Sequence, residues 1–185
     1  KKIIIKVFFL YSFLTGIIFF LFNLSGIRLF NSLNLSMTVS SAGAFLPTNS
    51  LSDIIKHTSQ EIILSLGLIF STLNIYFFYS LSSNFNNIRK HYEDIIILGG
   101  IVLFSLILFF SIGNIPITNI FLNVISSVSN SGISSYEPPK NFYLFFLFLT
   151  IIGGSLISNS NGIKFIRIYI LFKSTILELF KLVTP

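Results

Sequence analysis

The sequence predicts an all-α integral membrane protein made of two tandem units. Three observations carry that expectation. First, 53% of the 185 residues are hydrophobic and only 10% are charged, with a mean hydropathy of +0.87; a soluble domain carries roughly 25% charged residues. Second, the apolar residues fall in unbroken runs about as long as a bilayer is thick, without the alternation of a transmembrane barrel strand. Third, a Ser-rich segment with one central glycine occurs twice between such runs, as Val39–Phe45 (VSSAGAF) and Val128–Ser134 (VSNSGIS). The two glycines, Gly43 and Gly132, stand 89 positions apart, and the same offset pairs Leu33 with Leu122, Asn34 with Asn123, Val39 with Val128 and Ser40 with Ser129.

The elements follow in order. Lys1, Lys2 and Lys6 flank a run from Ile3 to Leu24, long enough at about 33 Å to cross a membrane as a helix. It is too long for a signal-peptide core, and no small-residue cleavage site follows. Ser25-Gly26 breaks it. Leu29 to Val39 is shorter and mixed, suited to a half-depth helix, and the first Ser/Gly segment and a polar loop with Pro47, Asn49 and Asp53 come next. A second span is expected over Ile62–Leu81, ending in a basic loop with Asn84, Asn86, Asn87, Arg89, Lys90 and His91. A third span, Ile95–Ile112, stops at Gly113-Asn114-Ile115-Pro116. Ile117–Val128 is the second half-depth helix, and Tyr136–Lys140 the returning loop. The first unit therefore covers 1–86 and the second 87–185. Each reads as outer helix, half-depth helix, re-entrant loop and inner helix.

The last inner helix is expected to be broken in mid-membrane. Phe142–Ile152 is too short to span, Gly153–Gly162 is small and polar, and Ile163–Phe172 is apolar again but carries Lys164 and Arg167. Irregular backbone at that depth must be buried in protein or line water. Basic residues set the orientation. With the N-terminus cytoplasmic, Lys1, Lys2, Lys6, Arg89, Lys90, Lys164, Arg167, Lys173 and Lys181 lie inside, against Arg28, Lys56 and Lys140 outside. Both Ser/Gly segments then enter from the outer face.

A cation crossing a bilayer needs its hydration shell replaced by oxygens, and backbone carbonyls of a tight loop can do this. Gly supplies the conformational freedom such a loop demands. Ser41, Ala42, Gly43, Ala44, Asn130, Ser131, Gly132 and Ile133 are therefore the candidate filter residues. No carboxylate lies between Asn34 and Phe45 or between Asn123 and Ser135. Lys164 and Arg167, three apart, would share a helix face toward lipid headgroups or a cytosolic partner. His57 and His91 have no second ligand at metal spacing and read as solvated. Asp53, Glu61, Glu93 and Asp94 read as loop or helix-start charges, and Glu137 as a weak cation attractor at a loop mouth. With no cysteine, disulfides and thiolate metal sites are excluded. The charge of +6 flanks the spans, so nucleic acid is not the expected partner. No nucleophile–base set, phosphate-binding loop or dinucleotide motif is present, and the chain reads as a non-enzyme that needs no cofactor.

These segments resemble the Trk/Ktr/HKT superfamily of potassium transporters, on the side of the bacterial TrkH and KtrB membrane subunits. The stretch at 24–33 (LSGIRLFNSL) is similar to the start of a second pore helix, 38–45 (TVSSAGAF) to a second filter strand and 124–135 (VISSVSNSGISS) to a third. Ile152-Gly153-Gly154, with Gly162–Arg167 (GIKFIR) eight residues on, is similar to the third repeat's broken inner helix. The resemblance implies a four-repeat pore of which this chain is the second and third repeats. Gly43 and Gly132 would be filter glycines. Gly153, Gly154, Ser155, Ser158, Asn159, Ser160, Asn161 and Gly162 would form the gating loop. Ala44 and Ile133 stand where the family usually has Phe, and Leu156 and Ile157 intrude in the loop. The implied function is uptake of K⁺, or of Na⁺, across a bacterial cytoplasmic membrane. The implied partners are the missing repeats, a second copy in a homodimer and a cytosolic nucleotide-binding regulatory subunit of the TrkA/KtrA type. A chain that starts on Lys is expected to begin inside a longer protein. Two other readings are a membrane subunit of a proton-pumping redox complex and a degenerate, non-conducting relative. The first would place ionisable residues in mid-span, where the central spans have none.

Overall fold

The computed structural model describes residues 2–48, 50–78, 91–113 and 115–183. All regular structure among them is helical. The longer helices are α1 (Lys2–Leu24), α2 (Leu29–Ser41), α3 (Thr58–Thr72), α4 (Tyr92–Ile112), α5 (Ile117–Ser129), α6 (Tyr143–Ile152) and α7 (Phe165–Val183). The expected unit boundary at 86/87 lies outside the described residues. So do Lys1, Asn49, Leu81, Asn84, Asn86, Asn87, Arg89, Lys90 and Asn114.

Among the described residues, two helices are long and apolar enough to cross a membrane, over Ile4–Leu24 and Tyr92–Ile112. Only 6% and 22% of their most apolar windows are buried, whereas the core helix of a soluble protein would be mostly covered. On α4 the buried residues Asp94, Ile97, Ile101, Ser105 and Leu108 recur three or four apart, one stripe of a 3.6-residue helix. Val102, Leu103, Leu106 and Phe110 remain exposed on the same helix, as a lipid-facing surface would be.

The half-depth helices match expectation in place and exceed it at their C-termini by two residues and by one. The second expected span does not. Over 62–81 a continuous helix was expected, but α3 ends at Thr72, and Leu73 is extended at φ −84°, ψ 158°. Hydroxyls turn back on the helix there: Ser71 Oγ donates to Leu68 O at 2.7 Å and Thr72 Oγ1 to Ile69 O at 2.8 Å. Such local bonds compete with helix continuation. The freed carbonyls find partners in the broken segment described below.

One apolar core joins both units. It takes Ile18 and Phe22 from α1, Leu35 and Val39 from α2, Leu64 and Leu68 from α3, and Leu122, Val124 and Ile125 from α5. Helix α5 is hemmed by α3, α4 and α6, so it rests on the helix that follows the first Ser/Gly segment. Polar ties reinforce the start of α3. Gln60 Oε1 accepts from Lys56 N at 2.8 Å, and its Nε2 donates to Ser25 O at 3.0 Å. Glu61 meets the first turn of α5, where Thr118 Oγ1 donates to it at 3.3 Å and the Asn119 amide nitrogen at 2.8 Å. A carboxylate at a helix N-terminus is also favoured by the helix dipole.

Helix α3 lies close against α2 at Gly67, where a Cβ would come within 2.7 Å of Val39 Cγ1. Val39 is β-branched and stiff in a helix, so it cannot easily yield. Gly67→Ala should therefore destabilise the fold by about 1–3 kcal/mol. The test is the thermal midpoint in detergent: it should fall in Gly67→Ala and recover in large part when Val39→Ala is added.

Candidate functional site

Helices α2 and α5 are each 13 residues long and end in the same way. After α2, Ala42 is left-handed (φ 50°), its N–H bonds Val39 O at 3.2 Å, and the Gly43 N–H bonds Thr38 O at 2.9 Å. After α5, Asn130 is left-handed (φ 58°), its N–H bonds Ser127 O at 3.2 Å, and the Ser131 N–H bonds Ser126 O at 3.1 Å. This paired closure is the Schellman motif, usually built on Gly. Here Ala and Asn accept the strained position.

The shared ending fixes a register that the glycines do not. Helix starts, helix ends and left-handed residues all repeat at 88 positions. Gly43 therefore corresponds to Ser131, and Ala44 corresponds to Gly132. The 89-residue pairing of the two glycines is one residue out. Ser41, a candidate loop residue, is the last residue of α2, while Ala42, Gly43 and Ala44 lie beyond it.

The second loop is the more specialised. Asn130 and Gly132 have positive φ (58° and 65°), with Ser131 between them on the ordinary side. Ser131 and Ile133 are buried, Gly132 and Ser134 exposed. A buried serine cluster holds the loop from behind: Ser131 Oγ lies 3.1 Å from both Ser126 Oγ and Ser129 Oγ. Neither Gly43 nor Ala44 has positive φ, so the first loop lacks the second inversion. Thr38 Oγ1 instead ties that loop back at Phe45 O, 2.7 Å away. The loops meet at their corresponding residues: a Cβ on Gly132 would lie 3.5 Å from Ala44 Cβ. Beside Gly132 is a cavity of about 230 Å³ lined by Asn123, Ser127, Asn130, Ser134 and Thr150. Asn123 there keeps Oδ1 buried without a partner.

The expected break in the last helix is present from Gly153 to Lys164. Its ends close on each other like an Ω-loop, with Ile163 N donating to Ile151 O at 3.0 Å and Phe165 N to Gly154 O at 3.2 Å. Three N–H groups of the loop cap the end of α3: Ser155 N donates to Thr72 O at 2.9 Å, and Asn159 N and Ser160 N to Ser71 O at 3.1 and 3.2 Å. The crossing is too tight for side chains. A Cβ on Gly153 would meet Asn161 O at 2.3 Å, and one on Gly154 would meet Thr72 O at 2.5 Å. Side chains tie this loop to α2, and the second Ser/Gly segment to the helix that leads into the loop. Asn159 Nδ2 donates to Ser40 O in the last turn of α2, and Asn130 Nδ2 donates to Thr150 O at 2.8 Å.

Two candidates change role. Glu93 and Asp94, read as helix-start charges, are staples: Glu93 Oε1 accepts from Leu156 N and Asp94 Oδ1 from Asn74 N, both at 2.8 Å. Asp94 is buried, and His91 Nδ1, read as solvated, lies 3.5 Å from its Oδ2. An acidic pair opening an apolar helix was the available signal, but its targets are remote in sequence. Lys164 and Arg167 do not share a helix face. Lys164 precedes α7 with a left-handed φ of 79°, and its ammonium turns into the loop, while Arg167 is exposed.

No family model matches the chain. It is 25% identical, over its whole length, to an uncharacterised cation transporter of Methanocaldococcus jannaschii, of which it covers 38%. Its fold superposes on the crystal structure of the potassium transporter TrkH from Vibrio parahaemolyticus with a TM-score of 0.84 and 21% identity, over 97% of this chain and 42% of that one. The chain thus has the fold of part of TrkH and spans about two fifths of the length of each of these relatives.

Gly154→Ala should prevent the loop from seating on α3, because its Cβ would also lie 2.4 Å from Ser160 Oγ. Amide exchange at Ser155, Asn159 and Ser160 should rise at least about tenfold, while exchange within α5 stays as in the parent chain.

Proposed function

We propose that this chain forms two units of a membrane pore for a monovalent cation, K⁺ before Na⁺, completed by further units in a longer protein. The observation that carries the proposal is the meeting of two identically terminated half-depth helices at corresponding loop residues, Ala44 and Gly132. The cation-transporter relative and the shared fold with TrkH support the same reading.

The chemistry follows from the backbone. Helices α2 and α5 both point their C-termini at the loops, and each helix end carries roughly half a negative charge. A cation between the loops is thereby attracted without a carboxylate, and backbone carbonyls can replace its hydration shell. Backbone carbonyls around Gly132 would replace hydration oxygens. The 153–164 segment lies under Ser40 and beside Thr150, where it would obstruct the path until displaced. On this proposal the protein resides in the cytoplasmic membrane with the N-terminus of this segment inside. Assembly as a homodimer and control by a nucleotide-binding cytosolic subunit are extensions of the same resemblance.

The decisive experiment is ⁸⁶Rb⁺ uptake by the complete gene product in a bacterium lacking its own potassium uptake. Uptake above the empty vector is expected, with K⁺ competing better than Na⁺; no uptake from a membrane-inserted product would defeat the proposal. Gly132→Ser should reduce the K⁺/Na⁺ preference at least severalfold, since Ser tolerates positive φ poorly. Gly43→Ser, one residue out of register, should change it much less. Equal effects at the two positions would remove Gly132 from the filter.

A further inference from the structure

Lys164 has the arrangement of a bound ion. Its Nζ reaches four oxygens of the 153–164 loop: Ser158 O at 3.2 Å, Ser158 Oγ at 3.1 Å, Ser160 Oγ at 3.3 Å, and Ser160 O, the nearest of them. The hydroxyl protons are committed elsewhere. Ser158 Oγ donates to Ser155 O at 2.6 Å. That leaves Ser160 Oγ, 2.7 Å away, as the donor to Ser158 Oγ, while it accepts from Gly154 N at 3.0 Å. Both hydroxyl oxygens therefore turn lone pairs toward the ammonium, as both carbonyls do. The cage presents acceptors alone, the donor set a bare monovalent cation requires. Lys holds its left-handed backbone at φ 79°, a conformation that side-chain-bearing residues rarely take. The residue is thus placed for its ammonium and not for its backbone.

We propose that the broken segment contains a monovalent-cation site that the chain fills with its own Lys164 ammonium, and that this tethered cation holds the loop on α3. An ammonium is a compact, strongly hydrated point charge with three donors. It satisfies a cage that would otherwise leave four oxygens turned toward each other. Without it the loop either opens or recruits a free ion of similar size. The same two serines that bind the ammonium flank Asn159, whose N–H bonds Ser71 O and whose side chain bonds Ser40 O. Filling the cage therefore sets the contact between the loop and the end of α2.

The inference concerns the segment that the transport reading places beneath the filter, but its test measures exchange and labelling and not flux, so either can fail without the other. Lys164→Gly removes the ammonium and relieves the backbone; Lys164→Met removes the ammonium alone. In the complete chain in detergent, with N-methylglucamine as the cation, both variants should exchange the Ser155, Asn159 and Ser160 amides at least about tenfold faster than the parent. Added K⁺ should restore protection in the variants and leave the parent unchanged. Parent-like exchange in both variants, or no response of the variants to K⁺, would overturn the proposal. Should neither variant fold, the parent chain alone decides: reductive methylation should modify Lys164 at least about tenfold more slowly than exposed Lys181, and equal rates would overturn it.

Discussion

The structure turns on the carbonyls of Ser71 and Thr72. A helix that stops where its last residues are buried, as Ser71 and Thr72 are, leaves acceptors that water cannot reach. In this chain the partners come from 80 or so residues downstream, as N–H groups of Ser155, Asn159 and Ser160. From that one requirement much else follows. The downstream helix must be broken to present those groups. The break must cross the end of α3 closely, so Gly154 carries no side chain, and the loop's own closure against Asn161 excludes one at Gly153. The opening turn of α4 must supply acceptors for the N–H groups left over, which Glu93 and Asp94 do. A charge that would be costly in a span becomes useful at such a junction.

The re-entrant loops follow a parallel logic with a different solution. Both half-depth helices close their last carbonyls with their own chain, through a left-handed residue and two reversed hydrogen bonds. That closure frees the following backbone from the helix and aims it across the molecule. In the second loop, buried Ser126, Ser129 and Ser131 form the wall behind the turn, so its shape is set by packed hydroxyls. In the first, a single threonine performs the tie.

Much of this was legible in the sequence, because apolar length and Ser/Gly interruptions are local signals. The outer helices, both half-depth helices and the 153–162 break appear where the residues suggested. What was not legible depended on contacts distant in the chain. Leu73 to Phe78 is mostly apolar, and the back-bonding of Ser71 and Thr72, the arriving loop, and Asn74, whose N–H goes to Asp94 and whose Oδ1 accepts from Tyr76 N, end α3. Asp94 resembled any helix-opening acid until Asn74 was seen on it. Lys164 and Arg167 looked like neighbours on a helix because the start of α7 was placed too early. The glycine pairing failed for an instructive reason: identity was strongest at a spacing of 89, whereas hydrogen-bond geometry repeats at 88. Residues that matched by letter were not those that matched by place.

That one-residue offset has a consequence for how such a protein changes over time. In an assembly of identical subunits, any substitution in a loop appears on every wall at once, and its cost is multiplied. Here the two walls are written at separate positions of one gene. Ala44 and Gly132 already differ in both residue type and backbone hand, although they touch. On the proposed pore reading, each wall can therefore drift by single substitutions while its neighbour preserves the passage. Asymmetry of this kind gives mutation many small, separable steps in place of a few large ones.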